Sequence, residues 1–177
     1  LAAAMLLVIP VFGAQAETTF TSQTYDKDGM YLITLPDHKI AQEFVPDFEE
    51  LGSVKAFLDM NLDTSVSEQN IITLSICTDL DDTPLYTEDF TFTSPSTGWT
   101  EFKLAQPVAL TPGTRYSLVL GSSQRAVWYG KLNPGITLDD CCVMNYDTAR
   151  PELWTREVNQ VAFVVLPTPA SYDEVSA

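Results

Sequence analysis

Residues 99–120 read WTEFKLAQPVALTPGTRYSLVL, and the alternation on either side of Pro112-Gly113 decides the fold class. Phe102 and Leu104 alternate with Glu101 and Lys103, the period-two pattern of a strand with one buried face. Pro107 has no backbone N–H to give, so it belongs at a strand edge or a bulge. Pro112 presets its φ and Gly113 tolerates a positive one, which together make a turn. Tyr116, Leu118 and Leu120 then resume the alternation. The stretch predicts strand, turn, strand. The two strands are expected to be antiparallel neighbours, with Trp99 and Tyr116 as core or seam aromatics.

The same pattern extends in both directions. Upstream, Tyr31 to Leu35 ends at Pro36-Asp37, and Ile40 to Val45 ends at Pro46-Asp47. Asp47 to Leu51 has the length of a single helical turn before Gly52. Beyond it, Val54, Ala56, Leu58, Met60 and Leu62 fall on one face of a long strand. Lys55, Asp59 and Asn61 fall on the other, with Phe57 among them. Ile72 to Cys77 alternates likewise and places Cys77 outward. Phe90 with Phe92, Ala126 to Tyr129, Val143 to Tyr146 and Gln160 to Leu166 supply further strands. No segment carries an apolar stripe of helical period and length. About eight to ten short strands with Pro, Gly and Asp between them predict an all-β, antiparallel, jelly-roll-like β-sandwich. It is expected over residues 17–166, with residues 167–177 as a tail or linker.

The first sixteen residues, LAAAMLLVIPVFGAQA, are apolar and uncharged and close on Ala14-Gln15-Ala16, the small-x-small pattern cut by signal peptidase. Pro10 and the short apolar length speak against a membrane span. Leu1 is not an initiator Met, so the segment reads as a signal peptide truncated at its start, with the mature chain beginning near Glu17. A retained N-terminal anchor is the alternative. The expected location is secreted or at the cell surface, with no membrane insertion of the mature domain. The formal charge of −15 falls wholly on the mature part. Such a surface repels phosphate backbones and anionic lipid, which removes nucleic acid as a partner.

Catalytic chemistry is thinly supplied. The single histidine, His38, sits beside Lys39 in a turn, and no second histidine exists for a metal pair or a serine relay. Neither a nucleophile elbow nor a phosphate-binding glycine loop is present. With 24 Asp and Glu, carboxylate pairs of the glycosidase kind would arise by abundance alone. The three cysteines Cys77, Cys141 and Cys142 allow at most one bridge and lack metal-site spacing. The acidic turns Asp79, Asp81, Asp82 and Asp139, Asp140 offer the oxygen ligands of a structural Ca²⁺. Neither has EF-hand spacing, and solvated turn carboxylates are the simpler reading. No other cofactor is expected.

The ordered motifs resemble an exported bacterial family of jelly-roll, carbohydrate-binding-module-like domains, the "choice-of-anchor" group. The resemblance rests on Ala41-Gln42-Glu43-Phe44-Val45-Pro46, Gly52-Ser53-Val54 and Leu74 to Asp79 with Pro84 and Leu85. It continues through Trp99 to Phe102, the run Pro107 to Tyr116, Trp128-Tyr129-Gly130, Trp154 and Val161-Ala162-Phe163. It covers residues 40–166. Where the family has a Gly-rich stretch, this chain has Leu138 to Cys142, so ligand contacts there do not carry over. The resemblance implies a non-catalytic extracellular module without a uniform ligand.

A sugar-binding sandwich needs exposed aromatic faces beside hydrogen-bonding groups. Trp128, Tyr129, Tyr146 and Trp154 are the aromatic candidates, with Arg125, Asn145 and Asp147 as polar company. Trp128 and Tyr129 are adjacent on a strand and point to opposite faces, so only one of them is core. The expectation is a non-catalytic binding or accessory module for a glycan. The alternatives are a spacer or adhesin module engaging a surface protein and, less favoured, a glycoside hydrolase.

Overall fold

The turn in the middle of 99–120 forms as its residues dictate. In a computed structural model, which describes residues 20–21, 31–34, 38–60, 69–80, 83–132, 143–145, 154–156 and 159–169, Thr114 N donates to Thr111 O at 3.1 Å. Gly113 has φ 77°, which makes Thr111 to Thr114 a type II turn. Tyr116 clamps it, because its hydroxyl accepts the Thr111 N–H at 2.9 Å. Gly113 N and Leu110 N donate to Pro46 O and Glu49 O at 2.8 and 2.7 Å. The turn is therefore sewn to the bend before the long strand.

Thirteen strands and no helix occur among the described residues: β1 (Phe20–Thr21), β2 (Tyr31–Thr34), β3 (Lys39–Phe44), β4 (Glu50–Met60), β5 (Asn70–Cys77), β6 (Tyr86–Phe92), β7 (Ser96–Ala109), β8 (Tyr116–Ser122), β9 (Ala126–Leu132), β10 (Val143–Asn145), β11 (Trp154–Arg156), β12 (Asn159–Val161) and β13 (Phe163–Pro167). Strands β2 to β9 pair in two rows, 2-9-4-7 and 3-8-5-6, and every pairing is antiparallel. That is the order of a jelly roll. Sheet I gains β1, β12 and β13, and sheet II is extended past β3 by β10 and β11. Two expectations are corrected here. The strands flanking Pro112-Gly113, β7 and β8, lie in opposite sheets, so the turn crosses the sandwich. Residues 47–49 are bends and Glu50 already belongs to β4, because Leu51 is needed in the core.

The core lies between the sheets. Ile40, Phe44, Ile72, Leu74, Ile76, Leu118 and Leu120 of sheet II meet Val54, Ala56, Leu58, Phe102, Trp128, Phe163 and Val165 of sheet I. Phe163 stands edge-on to Phe44 at 6.5 Å, and Phe90 and Phe92 do the same to Phe102 at 5.0 and 6.1 Å. Each such side chain removed from water is worth roughly 1.5–3 kcal/mol. Gln42 is buried on the same inner side. It is tolerated because its Oε1 accepts the Val161 N–H at 3.3 Å, from the opposite sheet.

Sheet I contains a fork. β4 and β9 pair at Leu58–Trp128 and Asp59–Val127, while β12 pairs with β9 and β13 with β4. Ala162, between β12 and β13, fills the crotch. Its N–H donates to Tyr129 O at 2.8 Å, and its carbonyl accepts from Phe57 N at 3.1 Å and Trp128 Nε1 at 2.9 Å. Pro107 sits where a proline is tolerated. β7 pairs Val108 with Leu51 and Lys103 with Ser53, so residues 104–107 bulge opposite Gly52.

The edge strands β6 and β7, which belong to opposite sheets, are bridged by side chains. Ala105 N donates to Tyr86 Oη and to Glu88 Oε2, both at 3.1 Å, and the Tyr86 hydroxyl donates to Glu88. Burial, and then the Glu88 hydrogen bond, hold the Tyr86 phenol above its ordinary pKa.

Candidate functional site

The alternation of β4 turns Val54, Ala56, Leu58 and Met60 inward and leaves Lys55, Phe57 and Asp59 on the outside of sheet I. Phe57 is the odd residue in that set, an apolar ring on an otherwise polar face. The register supplies it with company. Trp99 of β7 is its cross-strand partner, and Tyr129 of β9 lies on its other side. The Phe57 ring meets Trp99 at 5.7 Å and 84°, and Tyr129 at 5.6 Å and 88°, both edge-to-face arrangements. Beyond Tyr129 the next register position belongs to Tyr31 of β2. Three rings thus form a row at right angles to the strands.

The flanking rows are polar on β4 and β7 and continue onto valines on the next strands, Val127 beside Asp59 and Val164 beside Lys55. On one side Asp59 opposes Thr97, whose hydroxyl donates to Asp59 Oδ1 at 2.9 Å. On the other, Lys55 opposes Glu101, and Ser53 Oγ donates to Glu101 Oε1 at 3.3 Å. Trp99 is 49% exposed, at the end of the row on edge strand β7. The residue before it, Gly98, has φ 141°, a conformation that side-chain-bearing residues avoid. Glycine therefore shapes the backbone that leads into Trp99.

The sequence candidates are divided by this arrangement. Tyr129 joins the row. Trp128 does not: it is fully buried, its indole N–H is spent on Ala162, and it belongs to the core. Trp99, expected in the core or seam, is the exposed member, whereas Tyr116 is buried as expected. Trp154 lies in sheet II, half-buried over Ala41, Cys77 and Val119 beside Leu80. Asn145 pairs with it in register. Arg125 is exposed at the turn into β9, where Asn70 Oδ1 accepts from Ser122 Oγ at 2.8 Å and Gln124 N at 3.1 Å. Tyr146, Asp147, Asp81, Asp82, Asp139, Asp140, Cys141 and Cys142 lie outside the described residues. Asp79 is exposed. Among the described residues no group of three or more His, Cys, Asp or Glu side chains could hold a metal.

The outer faces of the two sheets differ. On sheet II, Ala41, Cys77, Ser117 and Val119 point outward by the alternation yet are buried. On sheet I the outward residues Lys55, Phe57, Asp59, Trp99 and Glu101 keep contact with solvent, while Ser53 on the same face is buried. Cys77 is a free thiol in that covered layer. Burial raises its pKa, with Lys39 opposing and Asp79 reinforcing the shift, so it stays protonated at neutral pH.

No protein-family model matches this chain. No curated protein matches it either. No helix among the described residues is long and apolar enough to cross a membrane.

The signal that identifies the row is present in the sequence. Phe57 interrupts the polar side of a strand, and Trp99 follows a glycine at the start of another. Recognising that the two are opposite each other requires the β4–β7 register.

Proposed function

We propose that this chain is an exported, non-catalytic binding module that holds a glycan on the outer face of sheet I. The observation that carries the reading is the outward row Trp99–Phe57–Tyr129, exposed at Trp99 and half-buried at Phe57 and Tyr129, with hydrogen-bonding residues of β4 and β7 on both flanks. The apolar faces of pyranose rings pack on aromatic side chains while their hydroxyls need donors and acceptors alongside. Asp59, Thr97, Lys55 and Glu101 supply both. A residue such as Trp99, half out of water on a β-sheet, gains by being covered. The motif order that resembles the choice-of-anchor modules and the apolar N-terminal segment support an extracellular setting.

Several carboxylates on the described surface have structural partners, which favours binding over hydrolysis. Glu43 pairs with Arg115 at 2.7 Å, Glu88 accepts from Tyr86 and Ala105, and Asp89 accepts from Thr73 at 2.6 Å.

The test is a pull-down and affinity-electrophoresis panel of plant, fungal and bacterial polysaccharides, with the native chain and Trp99→Ala. Retention by at least one polysaccharide, weakened about tenfold or more (about 1.4 kcal/mol) in the variant, is expected. Failure to bind any member of the panel would count decisively against the glycan reading and leave a protein partner as the reading to pursue.

A further inference from the structure

The open rim of sheet I has a chemistry of its own. We infer that β7 is a dimerisation edge: a second copy of this chain lays its β7 antiparallel to the first, about a two-fold axis at Phe102, with Glu101 of each copy opposite Lys103 of the other. The contact uses the rim of the sheet and holds whether or not the face takes a glycan.

The backbone at this rim is free to pair. Among the described strands β7 is hydrogen-bonded to β4 alone. Phe57 N donates to Ala162 O at 3.1 Å, and Ala162 precedes Phe163, which pairs with Ala56 on the side of β4 away from β7. The Phe57 backbone therefore faces away from β7, and Phe57 and Trp99 are a non-hydrogen-bonded pair. By the same alternation so are Lys55 with Glu101 and Ser53 with Lys103. Trp99, Glu101 and Lys103 thus aim their N–H and C=O groups at the open rim. Ala105 N points the same way, since it reaches Tyr86 and Glu88. That bond, and Pro107 with no N–H to give, close the free stretch at its far end. Such a rim is a template for another strand.

The side chains select the occupant. Glu101 and Lys103 are both exposed on the outward side of β7. A second β7 centred on Phe102 sets Glu101 against Lys103 twice, once in each direction, as a self-complementary interface requires. Each of these pairs exchanges both backbone bonds and joins opposite charges. The row then runs Lys55, Glu101, and Lys103 and Ser53 of the second copy. A slip of two residues either way would instead oppose Glu101 to Glu101 or Lys103 to Lys103, like charges face to face. Ala105 falls opposite Trp99 and is small enough to leave the indole room, while half-buried Leu104 falls opposite Thr100 on the inner side. The rim of sheet II is unsuited to such a pairing, because β6 carries Glu88 and Asp89 and no cation. The charge of −15 opposes association at long range. At about 0.15 M salt it is screened beyond about 8 Å, whereas charges on adjacent strands lie closer than that.

The test is sedimentation velocity of the full chain, without glycan, at about 0.15 M salt and from about 1 to 300 µM, a range suited to the small area of an edge contact. A shift from monomer to dimer with rising concentration is expected. Lys103→Glu and Glu101→Lys should each weaken dimerisation at least about tenfold, since each sets like charges opposite one another. Mixed in equal amounts, the two variants should form a heterodimer at least about tenfold tighter than either makes with itself, because every lysine again meets a glutamate. The double variant Glu101→Lys, Lys103→Glu should dimerise like the native chain. Thermal unfolding of each variant shows that it is folded. A monomer at every concentration would overturn the inference. So would a dimer indifferent to both single variants, or a mixture no tighter than its components. The measurement contains no glycan, so its failure leaves the binding-module reading standing, and the failure of that reading leaves the dimer standing.

Discussion

Replacing Trp128 by Phe separates the two roles of tryptophan in this sheet. Trp128 is fully buried, and its indole N–H donates to Ala162 O at 2.9 Å in the fork between β4 and β9. Phenylalanine removes that bond but leaves Ala162 O with the Phe57 N–H at 3.1 Å, so no carbonyl is orphaned. The lost hydrogen bond costs about 1 kcal/mol. The smaller ring leaves a partly filled space in the core between the sheets, adding about 1–2 kcal/mol. The sum, about 2–3 kcal/mol, corresponds to a fall in Tm of roughly 6–9 °C for a domain of this size. Trp99→Ala, by contrast, gives up one edge-to-face contact and little burial, about 1 kcal/mol and roughly 3 °C. Urea and thermal unfolding followed by far-ultraviolet circular dichroism, with glycan binding measured in parallel, read both quantities. Trp128→Phe should lower stability and keep binding, and Trp99→Ala should weaken binding with the smaller loss of stability. If Trp99→Ala proved the more destabilising of the two, the assignment of one to the core and the other to the surface would be wrong.

Other substitutions test the framework. A Cβ at Gly52 would lie 2.8 Å from Thr168 Cα, a backbone atom that cannot yield. Gly52→Ala is therefore expected to cost at least about 1–3 kcal/mol by overpacking, seen as a lower urea midpoint. Tyr116→Phe removes the acceptor for Thr111 N–H and should cost about 1 kcal/mol, with faster amide exchange at Thr111. The Cys77 thiol is buried with a raised pKa, so mass mapping should show its peptide unmodified by thiol reagents in the folded protein and modified after unfolding. The sign of the linkage follows. The unfolded thiol ionises first, so its contribution to stability is intact below the ordinary thiol pKa and declines as pH rises through the higher folded value. Cys77→Ala should flatten that part of the stability curve.

Much of this architecture is legible from period-two alternation. Residues 54–60, 72–76 and 116–120 bury the residues the pattern selects, since one face of each strand packs on the core. Pro112-Gly113 makes its turn because the chemistry is local. Sheet membership is not local: nothing within 99–120 says that its two halves belong to opposite layers. The binding face shows the same division. Adjacency on a strand requires Trp128 and Tyr129 to face opposite ways, but which one is buried depends on where β4 and β13 lie. Alternation and composition put Trp99 in the core or seam because tryptophan is usually well covered. Its exposure follows from the one-residue phase between it and Phe102, which takes the inward position on β7.

The fork closed by Ala162 bears on how the molecule is assembled in time. β4 is made early, yet half of one of its edges is completed only by residues 163–167. A chain synthesised from its N-terminus carries that edge uncovered for about a hundred residues after β4, until β13 arrives. Pairings this distant in sequence are slow to form, and an uncovered edge invites other chains. Fragments ending before residue 163 should self-associate while the whole chain stays monodisperse, and quality control during biogenesis would have most to do at that final step.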